Sequence, residues 1–238
     1  MNIFEEDLEF ERNWLLQMGA GAARNDINIL YCMSYSRHMM QSVEIDNVVS
    51  IRVSNDYQPG NNQWDIGLTD IWTWAIGLAP FKDTFWTTKD QPGYENHGKP
   101  VNKTEWHPEL ESAMATLSMG IVGISDKSML SSITVNLGFI NYILVGYTDE
   151  KLVAKSIMAD GLILKPSRPL AVPDFMLWDK NGTMGDNHPN DTVEFETYSE
   201  VSGTRFGIIL AYNPGNETIR IGSMERSGFA GLWIAIRP

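Results

Sequence analysis

What most constrains this chain is an alternation, from residue 27 to residue 125, of short apolar runs with stretches at helical spacing. Residues 27–34, 47–53 and 120–125 are short and rich in Ile, Val and Leu, as buried strands are, and 78–86 reads as a further strand with its loop. Residues 64–78 and 109–118 carry apolar side chains at helical spacing. An amphipathic helix is expected over 2–24, where Phe4, Leu8, Trp14, Leu15 and Met18 fall near one face, acids crowd the first turns and Gly19 and Gly21 lie near the end. Residues 36–42 fit either one helical turn or a loop. The stretch 89–108, rich in Gly, Pro and Asn, is too long for a tight connection and reads as a functional loop. Strands that alternate with helices predict a parallel α/β architecture.

The pattern changes near Ala159. Short strand-like runs at 162–164, 192–197, 205–211, 218–221 and 232–236 are separated by Pro, Gly and Asn turns, which predicts an all-β sandwich. Two domains are therefore expected, an α/β body over 1–158 and a sandwich over 159–238. The body holds about four strand–helix units, half of what a closed (β/α)8 barrel requires. Four units alone leave two open sheet edges. The body is then either half of a barrel or a different, open α/β sheet.

Composition removes several classes of function. A net charge of −12 argues against a nucleic-acid partner, because phosphate binding needs a basic face. The longest apolar run, 133–147, is broken by Asn136, Gly138 and Asn141, so no membrane span is expected. His38, His97, His107 and His188 show no metal-ligand spacing with one another or with Cys32, and no dinucleotide, P-loop or Gly-x-Ser-x-Gly motif occurs, so neither metal nor cofactor is expected. Cys32 is the single cysteine and reads as an inert core thiol on a buried strand. Sequons begin at Asn102, Asn181, Asn190 and Asn216, and four of them lean towards the secretory pathway, secreted or lysosomal. No basic region and apolar core follow Met1, so a signal peptide is expected to lie outside this sequence.

Chemistry is expected where strands end. In Ile51-Arg-Val-Ser-Asn-Asp-Tyr57, Arg52 and Asp56 lie four apart at the end of a strand and can point into one pocket; they can equally form a structural ion pair. In Pro80-Phe-Lys-Asp-Thr-Phe-Trp86, Asp83 can hold sugar hydroxyls and Trp86 can stack on a ring, or they are a capping acid beside core aromatics. Asp126, in Gly120-Ile-Val-Gly-Ile-Ser-Asp-Lys127, reads as a pocket residue or a helix N-cap.

The order of Ile29-Leu-Tyr-Cys-Met33, the Arg52–Asp56 segment, the segment ending at Lys127 and Asp160-Gly-Leu-Ile-Leu-Lys165 resembles the raffinose synthase and alkaline α-galactosidase group. That group belongs to the α-galactosidase clan of glycoside hydrolases, (β/α)8 barrels with a C-terminal β-sandwich. Its fifth strand carries a Cys-Met pair, its sixth Arg-x-Ser-Asp-Asp-Phe, and its eighth ends in Val-Ser-Asp-Lys before an exit through Asp-Gly-x-Ile-Leu-Arg. The resemblance, which spans roughly residues 27–177, implies the C-terminal half of a barrel followed by a sandwich. It implies a carbohydrate substrate, Asp56 as general acid/base, Arg52 near the sugar 2-hydroxyl and Asp83 as a pocket acid of the seventh strand; Trp86 and Asp126 join Arg52 and Asp83 as substrate-binding candidates from their own segments. The clan's nucleophile, an Asp in a Lys-x-Asp motif on the fourth strand, has no counterpart here, which implies a fragment of a retaining α-glycosidase or transglycosidase, inactive alone. A non-catalytic carbohydrate- or partner-binding protein derived from such a barrel is the alternative. The interval from Lys127 to Asp160 exceeds the family's, and the apolar run 133–147 within it reads as an insertion or as translated intervening sequence.

Overall fold

The computed structural model describes residues 8–32, 34–60, 67–92, 95–96, 99–100, 103–127, 149–154, 165–170, 193–201, 203–212 and 230–236. The run 133–147, Met33, the strand-like runs 162–164 and 218–221, and the four sequon asparagines lie outside them.

The body opens with α1 (Leu8–Ala23), whose first turn carries Glu9 and Glu11, acids that complement the positive end of the helix dipole. Three short parallel strands follow, β1 (Ile29–Tyr31), β2 (Val48–Arg52) and β3 (Ala79–Phe81), paired in the order β1-β2-β3. Between β1 and β2 the chain makes α2 (Ser36–Gln41) and a 3-10 turn, and between β2 and β3 it makes α3 (Gly67–Ala75). Opposite β1, β2 inserts a residue, so that Ile29 faces Val48 but Leu30 faces Ser50. The irregularity explains how Val48 and Ile51, three apart, both enter one core. That core joins Leu15 of α1 and Met39 of α2 to Tyr31, Ile45, Val48, Ile51 and Leu78.

A fourth extended segment runs beside β3. Gly120 donates its amide to the Pro80 carbonyl, and Phe85 and Ile124 form a parallel bridge. Contact here is close: a Cβ on residue 120 would stand 2.7 Å from the Pro80 oxygen and 2.8 Å from the Phe81 Cβ, so glycine alone fits without a shift. The strand order is thus sequential, as successive strand–helix units give. Among the described residues the sheet is open, and closure into a barrel is not seen.

The loop before the fourth segment folds on itself. It holds a small hairpin, β4 (Glu95–Asn96) with β5 (Lys99–Pro100), and an Asp90–Thr104 bridge. Helix α4 (Pro108–Leu117) then starts with Pro108 in its first turn, where a missing amide is harmless. A short α5 (Glu150–Ala154) is capped by the Asp149 carboxylate, which accepts from the Lys151 and Leu152 amides.

The C-terminal sheet consists of β6 (Val193–Val201), β7 (Thr204–Tyr212) and β8 (Ala230–Ile236), with β6 antiparallel and β8 parallel to β7. Its apolar face does not close on itself: Phe195, Ile208 and Leu210 pack with Leu110, Met114 and Leu117 of α4 and with Leu170 in a second core. The two halves expected as separate domains therefore share apolar packing across α4. The segment 165–170 is hydrogen-bonded to β6, with the Ser167 amide donating to the Tyr198 carbonyl at 2.7 Å and the Thr197 hydroxyl to the Arg168 carbonyl at 2.6 Å. Among the described residues no helix is long and apolar enough to cross a membrane.

Candidate active site

Parallel strands deliver the loops at their C-terminal ends to one rim, where side chains from different strands converge. Arg52 ends β2 and lies opposite Phe81, so Lys82 and Asp83 leave β3 beside it. The Arg52 side chain is only 7% exposed and bridges two carboxylates, its Nη2 2.6 Å from Asp56 Oδ1 and its Nη1 3.2 Å from Asp83 Oδ2. Arg52, Asp56 and Asp83, which the sequence singles out, are thus brought together.

The two carboxylates differ in availability. Asp83 Oδ2 also accepts from the Tyr57 amide at 2.7 Å, and its Oδ1 accepts from the Thr84 amide at 2.8 Å. A carboxylate engaged on both oxygens by backbone and guanidinium is a fixed anchor, poorly suited to attack an electrophile. Asp56 is 68% exposed, with Arg52 as its ion-pair partner, and a ligand arriving from solvent can reach it. Of its two carboxylates, the arginine orients the more accessible one.

Trp86 and Asp126 lie elsewhere in the framework. Trp86 is 4% exposed, meets the Tyr57 ring edge-on and donates its backbone amide to the Tyr57 hydroxyl at 3.1 Å, so its ring packs inside rather than lining an open face. Asp126 accepts from the Thr87 amide, the Thr87 hydroxyl and Gln91 Nε2, each at 2.8 Å. It ties the fourth extended segment to the chain after β3, and the Thr87 hydroxyl in turn accepts the Asp149 amide at 2.7 Å. Cys32 departs from expectation: β1 stops at Tyr31, so the thiol falls just beyond the strand and is exposed, not part of the core.

Three further residues support the rim without having been singled out. Lys82, fully buried, forms an ion pair with Glu111 of α4 at 2.8 Å and lies over the Phe85 and Tyr57 rings. Glu105, also buried, accepts from the Tyr57 hydroxyl at 2.9 Å, the His107 amide at 3.0 Å and the Gly60 amide at 3.3 Å. Burial and then the Glu105 charge push the Tyr57 phenol far above its ordinary range, so it stays protonated and donates. A lone lysine or glutamate carries no sequence signature; only Tyr57, the last residue of the Ile51–Tyr57 segment, was within reach of motif reading. Among the described residues no group of three or more His, Cys, Asp or Glu is placed to hold a metal ion.

No protein-family model, no curated protein and no solved structure matches this chain.

Proposed function

We propose that this chain is part of a retaining α-glycosidase or transglycosidase acting on α-galactoside-like sugars, with Asp56 as the general acid/base. The observation that carries the reading is the Arg52 guanidinium, buried at the end of a parallel strand, holding the exposed Asp56 at 2.6 Å while Asp83 braces it from the other side. The motif resemblance supplies the chemistry. Asp56 protonates the leaving oxygen, then takes a proton from water or from an acceptor hydroxyl, and Arg52 orients the sugar near its 2-hydroxyl. Asp83 acts through Arg52 and Tyr57, and Trp86 and Asp126 act through the framework beneath. The double displacement needs a second carboxylate about 5 Å away as nucleophile. In this reading it comes from polypeptide outside the sequence.

In the full-length protein, Asp56→Ala is expected to lower turnover of galactosides by on the order of 100-fold or more, the usual worth of a positioned acid/base. Near-normal turnover would sink the assignment. The four sequons place that protein in the secretory pathway in this reading, and a mass unchanged by enzymatic removal of N-glycans would count against it.

A second reading, a carbohydrate-binding protein without turnover, is favoured by Asp83 itself, the other carboxylate on Arg52, because both its oxygens are already engaged. Galactose titrated into this chain separates the two. Binding abolished by Arg52→Ala, with no turnover from any longer product, would make the protein a binder.

A further inference from the structure

Asp56 sits in a loop, yet the loop is held at several points that it does not itself provide. The Ser54 hydroxyl accepts the Asp83 amide at 2.7 Å, and the Tyr57 amide donates to Asp83 Oδ2 at 2.7 Å. These two bonds fasten the loop to Asp83, just past the end of β3. The other fastening runs to chain 48 residues away, where Glu105 Oε2 accepts both the Tyr57 hydroxyl and the Gly60 amide. Glu105 is only 2% exposed, and its Oε1 accepts the His107 amide at 3.0 Å, which orients the carboxylate. Its own amide donates to the Lys89 carbonyl at 2.7 Å, so the acceptor is itself anchored to the base of its loop. Gly60 completes the clamp: its φ is +80°, and a Cβ there would stand 2.9 Å from the Thr104 carbonyl oxygen, so the two loops touch backbone to backbone.

We propose that Glu105 is a positioning residue for the sugar site: by holding Tyr57 and Gly60 it fixes where Asp56 stands, although it touches no substrate. The proposal rests on the reading of Asp56 as acid/base. A proton donor must meet the leaving oxygen within hydrogen-bond reach, and a displacement of about 1 Å can lower rate on the order of 100-fold. The consequence falls on reactions that need the proton. A sugar or alkyl leaving group departs only with acid assistance, whereas an activated aryl leaving group departs as a stable anion without it.

The test uses Glu105→Gln and Tyr57→Phe, two variants that break the clamp from opposite sides while conserving volume. Turnover by the full-length protein is compared on a galactoside with an alkyl or sugar leaving group and on an activated aryl galactoside. Both variants are expected to lose on the order of 10- to 100-fold in kcat/KM on the first substrate and little on the second, because kcat/KM reports the glycosylation step, whereas kcat also carries the base-assisted release of the glycosyl-enzyme. In this chain, amide exchange at Tyr57 and Gly60 is expected to accelerate in both variants with exchange in β2 unchanged. Equal loss of kcat/KM on both substrates would mean general destabilisation and would overturn the proposal. Unchanged turnover, or unchanged exchange at Tyr57 and Gly60, would overturn it as well. An unsubstituted protein that cleaves neither substrate overturns the acid/base reading itself and the proposal with it, and that result is distinct from active protein with indifferent variants.

Discussion

Asp70 lies fully buried on α3, and burial raises its pKa to about 8 against the opposing pull of Lys165 and the Leu170 backbone. Burial likewise lowers Lys165 to about 8, although Asp70 favours its charged form. Lys165 Nζ donates to the Ala115 and Ser118 carbonyls at the end of α4, at 3.1 and 2.9 Å. The folded protein holds the Asp70 proton more tightly than the unfolded chain, so stability falls as pH climbs from the carboxyl range to about 8. Folding weakens the hold on the Lys165 proton, so stability returns as pH rises from about 8 through the ordinary lysine range. These contributions together make stability least favourable near pH 8, and a Tm profile should show that dip. Asp70→Asn with Lys165→Met should flatten it, whereas an unchanged dip would show that other groups cause it. Lys82 and Glu111 present a different residue-scale case, a buried pair with side chains 0% and 2% exposed. Lys82→Met should destabilise by about 3–5 kcal/mol because it takes the cation from a buried carboxylate, and adding Glu111→Leu should recover most of the loss in denaturant unfolding.

At the scale of elements, the strands are short enough that their partners decide where they sit. β1 has three residues and β3 three, and neither would persist alone. The Gly120 amide and the Phe85–Ile124 bridge hold the fourth segment against β3, and the absence of a side chain at Gly120 is what permits the approach. Gly120→Ala would push a Cβ into the Pro80 carbonyl and the Phe81 side chain, and should destabilise by about 1–3 kcal/mol in urea unfolding. The displaced segment carries Asp126, so the exchange protection of the Thr87 amide should fall with it. A neutral alanine would mean that the segment has room to move.

At the scale of the molecule, the body and the C-terminal sheet are joined through α4, whose Leu110, Met114 and Leu117 share a core with Phe195, Ile208 and Leu210. Leu210→Ala should destabilise by about 2–5 kcal/mol, and hydrogen exchange should loosen α4 together with β6 and β7. Loosening confined to the sheet would make it an independent unit. Periodicity is local, so the helices 8–23 and 108–117 and the strands β2, β6, β7 and β8 were legible in the chain to within a few residues. The pairing of Arg52 with Asp56 was legible too, because four residues at a strand end keep two side chains within reach.

Burial and partnership at long separation were not legible. Cys32 reads as a core residue from its apolar neighbours, yet β1 ends one residue earlier and leaves it exposed. Lys82 has no partner in its own segment until α4 brings Glu111 against it, and Trp86 reads equally as a sugar platform or a core aromatic until the fold buries it beside Tyr57. Glu105 has no meaning in its own segment; it acquires one only when the chain returns to Tyr57 and Gly60. Residue spacing by itself determined which elements form and which charged groups meet within a turn or two, because those depend on backbone period alone. Which carboxylate is anchored and which is exposed was decided by the tertiary structure, since desolvation and hydrogen-bond supply depend on neighbours that the chain brings from far away.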